Sequence, residues 1–297
     1  MNRQITYIVP SEFDQRTVKD YLIYLGYSHP VLVQLKKTQN SIIRNNEWIY
    51  FHTKLNTQDS ITIYIEETAS SENIVATPLP IHIVYEDEDI LVINKSANMP
   101  IHPSMNNYEN SLANALMHYY GNAGSPFVFR CVNRLDKDTS GLTLIAKNPL
   151  SAAILYRDMT HRKIKRTYYA LVQGTPPNVG TINVGISRAP GSTIMRVPDA
   201  INGETAITHY KTLQSSADFS LVECTLETGR THQIRVHMKH IGHPLLGDYI
   251  YNPDNHLMSH HALHGGKLEF IHPITKKELM FSAPFPLDFS NQLGKLK

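Results

Sequence analysis

Apolar residues recur at helical spacing soon after the N-terminus. Val18, Leu22 and Leu25 lie between Thr17, a good N-cap, and Gly26, a natural stop, and predict a first helix. Ser28 can cap a second, with Pro30 early and Val31, Leu32 and Leu35 on its buried side. Short strands are expected at Ile42-Ile43, at Trp48-Ile49-Tyr50, and where Ile61, Ile63 and Ile65 alternate. Residues 1–67 thus form a small α+β unit. The polar stretch that follows ends in two prolines, which places a linker at 68–80. From Ile81 to the end at 297, strand-like and helix-like segments intermix. Ile81 to Tyr85 and Ile90 to Ile93 flank the acidic run Glu86 to Asp89, read most simply as an exposed turn. A helix from about Ser111 uses Leu112, Leu116 and Tyr119, with Gly121 as its stop. Further strands are expected at Leu142 to Ala146, Tyr168 to Gln173, Ile207 to Leu213, Leu221 to Glu227 and Leu268 to Ile271. Without strict β-α alternation, this order implies an α+β fold on a mixed or antiparallel sheet.

Composition narrows the class without deciding it. Hydrophobic residues make up 41% and charged residues 18% of the 297, an ordinary globular balance. No apolar run approaches the roughly 20 residues that span a bilayer, and the first residues lack the apolar core of a signal peptide. The two cysteines, Cys131 and Cys224, are too few for a disulfide framework or a four-thiolate zinc site. A cytoplasmic protein is the expectation. The net charge of +2 is modest, but charges cluster. Arg157, Arg162, Lys163, Lys165 and Arg166 face one acid, Asp158, and from Thr228 to Gly247 there are three basic residues, four histidines and no acid. Such clusters fit either a phosphate track or a solvated face.

Two segments carry candidate chemistry. Asn133-Arg134-Leu135-Asp136 leads into Lys137-Asp138-Thr139-Ser140-Gly141, and in an extended chain Arg134 and Asp136 share a face. A carboxylate at a strand end suits nucleophilic or base work, yet the same residues make a good turn, and composition alone favours the turn. In the second, Thr228-Gly229 reads as a turn before a helix whose apolar side is Ile234, Met238 and Ile241. His232, Arg235 and Lys239 then share another face, where an arginine can offer a permanent charge to a carboxylate elsewhere. His232, His237, His240 and His243 raise the question of zinc, but no acidic ligand or base lies nearby and packing roles are commoner. No metal site is expected. Phosphate-binding, dinucleotide and Gly-x-Ser-x-Gly motifs are absent.

Three segments in order, Asn133 to Leu142, Arg166-Thr167-Tyr168-Tyr169-Ala170-Leu171-Val172 and Thr228 to His237, resemble the signatures of RluA-type pseudouridine synthases. Met99 to Pro103, Gly242 to Asp248, Ala262-Leu263-His264, Ile271 to Thr275 and Ala283 to Pro286 extend the similarity over about residues 80–286. The resemblance implies a catalytic domain over 81–297 on a mixed, largely antiparallel sheet, which isomerises uridine in structured RNA to pseudouridine without a cofactor. Asp136 matches the family nucleophile, and Arg235 its ion-pair partner, orienting it and favouring its charged form. Tyr168 matches the tyrosine that packs on the target uracil, and Arg134 the arginine that fills the stack left by the flipped nucleotide. Arg230 and His232 are candidate contacts to phosphate or substrate. The chain has Asn133 where many relatives have His, and Arg166 where many have Lys.

The helix-helix-strand order of residues 1–67 resembles the alpha-L-type RNA-binding module of ribosomal proteins, with Asn46-Glu47 and Asp59-Ser60 replacing its usual glycine turns. Its seven Lys/Arg balance seven Asp/Glu, so charge does not strengthen the reading. Ribosomal RNA of the large subunit is the preferred substrate and transfer RNA the alternative, acted on by a monomer with no membrane contact. An RNA-binding ribosome-assembly factor with incidental catalysis is the competing function.

Overall fold

The computed structural model describes every residue except Met1, Thr68, Glu72, Ala123, Ser125 and Lys297; Thr68 and Glu72 of the expected linker therefore lie outside the described residues. The N-terminal unit comprises β1 (Arg3–Ile8), α1 (Val18–Leu25), α2 (His29–Lys37), β2 (Ile42–Arg44), β3 (Glu47–Trp48) and β4 (Ser60–Ile65), its sheet ordered β1-β4-β2-β3. Thr17 and Asp20 form a full capping box on α1, and Gly26 ends it at φ 100°, where glycine has no Cβ to clash. Ser28 precedes α2 as expected but makes no side-chain cap bond. The expected strand at Trp48-Ile49-Tyr50 is shorter: after Trp48 one backbone bond from Ile49 to Ile42 remains, and the chain leaves the ladder.

The rest of the chain continues with β5 (Ile83–Glu86), β6 (Ile90–Lys95), α3 (Leu112–Asn122), β7 (Ser140–Ala146), α4 (Pro149–Thr160) and β8 (Lys165–Gln173). Then follow β9 (Val179–Asn183), β10 (Ile186–Arg188), β11 (Arg196–Pro198), β12 (Ile207–Ser215), β13 (Phe219–Leu226), α5 (Gln233–His240), β14 (Leu263–Ile271), β15 (Glu278–Ser282) and α6 (Leu287–Leu293). A nine-stranded sheet runs β5-β6-β7-β14-β8-β13-β12-β9, with β15 also on β14. Its only parallel pairing among the described residues is β7 with β14, which makes the sheet mixed and largely antiparallel. There Gly141 adopts φ 115°, and a Cβ on it would stand 2.3 Å from the Gly265 carbonyl oxygen. Glycine is the residue that lets the two strands meet.

The core of the N-terminal unit, built on Val18, Leu22, Leu35, Ile61 and Ile63, is completed by Leu150 and Ile154 of α4. The acidic run is not a plain exposed turn. Asp89 is 2% exposed and accepts two bonds from Arg3 of β1, at 2.9 Å each, and one from Asn148 before α4. Asp87 caps the backbone of Asp89 and Ile90 and pairs with His272. Buried carboxylates need such donors, so sequence polarity alone is a poor guide to exposure here. Asp87, Asp89 and His272 come close enough to share a metal ion, but their acceptor atoms already carry these protein partners.

Candidate active site

Asp136 sits where the chain turns into β7, and the turn is held from several sides. Asn133, 2% exposed, donates to the Leu142 carbonyl and accepts from the Leu144 N–H, stitching the approach to β7. The Thr139 N–H closes the turn on the Asp136 carbonyl at 3.1 Å, and the Thr139 hydroxyl meets His261 Nε2 at 2.8 Å. Beneath it, Lys95 donates to the carbonyls of Ser96, Met99 and Lys137. Burial pushes the Lys95 amine down to about 7, against the pull of Asp138 and Asp136.

Arg235 reaches this turn from α5. Its Nη1 lies 3.2 Å from Asp136 Oδ2, while Nε and Nη2 hold Asp248 at 2.7 and 2.8 Å. Burial works against the Arg235 charge, but the bonds to Asp248 and the charges of Asp248 and Asp136 raise its pKa on balance. His232 is the N-cap of α5 in a left-handed conformation, with Nε2 3.9 Å from Asp136 Oδ2. Burial lowers its pKa, opposed by Asp136. Its Nδ1 meets the Tyr251 hydroxyl at 3.0 Å, and that oxygen accepts the Arg196 N–H. The expected shared face of His232, Arg235 and Lys239 is occupied by one ring, Tyr251, which all three touch. His237 instead points inward, its two nitrogens bonded to Thr208 and the Val184 carbonyl.

Tyr168 of β8 is 5% exposed and packed in the cluster containing Leu135, Cys224 and Ile234, and its hydroxyl makes no hydrogen bond among the described residues. Asp136, Tyr168, Arg134 and Arg230 line one cleft of about 660 Å³, a volume suited to one nucleotide unit. A narrower recess behind it adds His232, Arg235 and Thr139 to Asp136 and Tyr168. The six residues singled out from sequence therefore converge, although Asp136 and Arg235 are 99 positions apart.

The basic segment divides. Arg162 and Arg166 line the cleft, whereas Arg157 lies against Gly26 of the N-terminal unit. Arg162 pairs with Glu227 and Arg230 with Glu204; the buried Nε of Arg166 has no hydrogen-bond partner among the described residues. Asp248, Tyr251, Lys95 and His261 were not singled out individually. Only Asp248 left a trace, as part of a motif.

A carboxylate held at one oxygen, beside a buried arginine and an aromatic wall, can attack or assist at a sugar or base placed in the cleft. The family model for RNA pseudouridylate synthase matches residues 89–240, a span that contains both Asp136 and Arg235. The chain belongs to the RNA pseudouridylate synthase family. As a member it is a pseudouridine synthase, an isomerase of RNA uridine. It is 38% identical over 277 residues to the uncharacterized RNA pseudouridine synthase YjbO of Bacillus subtilis (strain 168), covering 92% of this chain and 97% of that one. It is 37% identical over 276 residues to the ribosomal large subunit pseudouridine synthase D of Zymomonas mobilis, covering 86% and 83%. Among solved structures it resembles the human RNA pseudouridylate synthase domain containing 1, with a TM-score of 0.59, 26% identity, and 70% and 84% of the two chains covered. The RluA-type resemblance and the α+β fold both hold. Among the described residues no helix is long and apolar enough to cross a membrane.

Proposed function

We propose that this synthase converts specific uridines of large-subunit ribosomal RNA to pseudouridine, with Asp136 as the nucleophile. The observation that carries the reading is the arrangement of Asp136: one oxygen on buried Arg235, and the side chain open to a cleft walled by Tyr168. In the reaction the carbon–nitrogen glycosidic bond breaks, the uracil turns over, and a carbon–carbon bond forms. Arg235 orients Asp136, and Tyr168 packs on the uracil. Arg134, exposed at the rim, fills the stack the flipped nucleotide leaves. Arg230 and His232 contact the substrate, and Arg162 and Arg166 the flanking phosphates. The ribosomal assignment is supported by relatives such as the Zymomonas mobilis enzyme, whose name gives that substrate.

The N-terminal unit takes part as an RNA-binding module in this reading. A groove of about 520 Å³ there is lined by Lys19, Lys36, His29, His52 and Tyr50, among others, and by no acid. Neighbouring rings of Trp48, Tyr50 and His52 offer stacking surface.

Pseudouridine mapping of total RNA, with and without the gene and after rescue, tests both substrate and residue. Wild-type protein is expected to restore sites in large-subunit RNA, and the Asp136→Asn variant, folded and RNA-binding, to restore none. A site missing only from transfer RNA overturns the ribosomal assignment; full rescue by the variant removes Asp136 from the nucleophile role.

A further inference from the structure

Arg235 divides its guanidinium unequally. Two N–H groups go to Asp248, which has no side-chain exposure, and a single longer contact goes to Asp136. Asp248 is itself fixed, because Oδ1 also accepts the backbone N–H groups of Ile250 and Tyr251 at 3.1 Å. A carboxylate bonded in this way cannot turn, and it fixes the guanidinium it holds. Tyr251 also packs its ring on Arg235, the centroid 5.0 Å from Arg235 Cζ. Oδ1 of Asp136, by contrast, has no hydrogen bond among the described residues.

We propose that Asp248 is a positioning residue for the reaction: it pins Arg235 so that one N–H meets Asp136 and the second oxygen of Asp136 stays open to the cleft. This rests on the reading of Asp136 as nucleophile. Arginine and carboxylate favour a two-bond fork. Released from Asp248, the guanidinium turns its Nε/Nη2 edge onto Asp136 and occupies both oxygens. Asp248 therefore acts on the nucleophile without touching substrate, by denying Arg235 that closer grip.

The first test needs no change at Asp248. In nitrogen-15 NMR of the full chain, the Arg235 Nε–H signal, assigned by its loss in Arg235→Lys, reports the bond to Asp248. It is expected to remain at its position and slowly exchanging in Asp136→Asn. A signal that shifts to the free-arginine region there shows that Asp136 holds Arg235, and overturns the proposal. The second is kinetic. Asp248→Asn is expected to lower kcat by roughly 10–100-fold while KM for the RNA stays within about twofold. A folded Asp248→Asn with unchanged kcat, or with a loss confined to KM, also overturns it; if that variant does not fold, the NMR result decides. Turnover by Asp136→Asn counts against the proposed nucleophile alone, because the NMR signal reads the grip of Asp248 independently of activity.

Discussion

At the scale of single residues, Lys95 shows how the Asp136 turn is held by a fully buried group. It is 1% exposed, and its three N–H bonds reach three carbonyls, one of them within the Asp136 turn. Burial still brings its pKa down to about 7 from the ordinary lysine value of 10.5, with Asp138 and Asp136 opposing the change. Between those two values the unfolded chain carries the proton more often than the folded one. Stability from this group therefore rises with pH across that window, by at most about 1.4 kcal/mol per pH unit. Urea denaturation at pH 7 and pH 9 should find wild type gaining about 2 kcal/mol relative to Lys95→Met. An equal difference at both pH values would show that Lys95 keeps its ordinary proton affinity in the fold.

Elements come next, and the join of β7 with β14 depends on Gly141. A side chain there meets the Gly265 backbone at 2.3 Å and must also adopt φ 115°. Gly141→Ala should cost more than about 3 kcal/mol, read by denaturation, since neither strand can retreat without breaking the ladder to β6 or β8. An unchanged transition would mean that the parallel pairing is not fixed at this contact. No local pattern announced it, because the partner strand lies far along the chain. Local elements were legible for the opposite reason: α1 carries its period, its Thr17 cap and its Gly26 stop in one short stretch. β1 has no comparable local signature, because it depends on pairing with β4 at the far end of the unit. The site divides the same way. Asp136 was first readable as a turn residue, and its carbonyl does close the turn with Thr139 while its side chain faces the cleft. The order of motifs brought Arg235 to it. Nothing in the spacing of Arg235 and Asp248, 13 residues apart across a loop, revealed their pairing.

On the scale of the whole molecule the question is how a chain of net charge +2 holds a polyanion. Arg134, Arg162, Arg166 and Arg230 surround the cleft, but two of them are already met by carboxylates, Glu227 and Glu204. Arg166 has no carboxylate partner among the described residues, so a phosphate reaching its guanidinium displaces solvent ions and none of those groups. Binding to a looped RNA substrate should therefore weaken with salt, and Arg166→Ala should lower the slope of log affinity against log salt by about 0.7. Arg162→Ala should change it less, because it also frees Glu227 beside the RNA. Lys36 in the groove of the N-terminal unit supplies the control for the second contact. That unit shares its core with α4 and is tied to the β5–β6 turn through Arg3 and Asp89, so both basic surfaces belong to one continuous body. If both touch the same RNA, Lys36→Ala lowers the slope as Arg166→Ala does, and the two losses add in the double variant. A slope untouched by Lys36→Ala, measured by titration from about 50 to 200 mM salt, would leave the cleft arginines as the whole electrostatic contact.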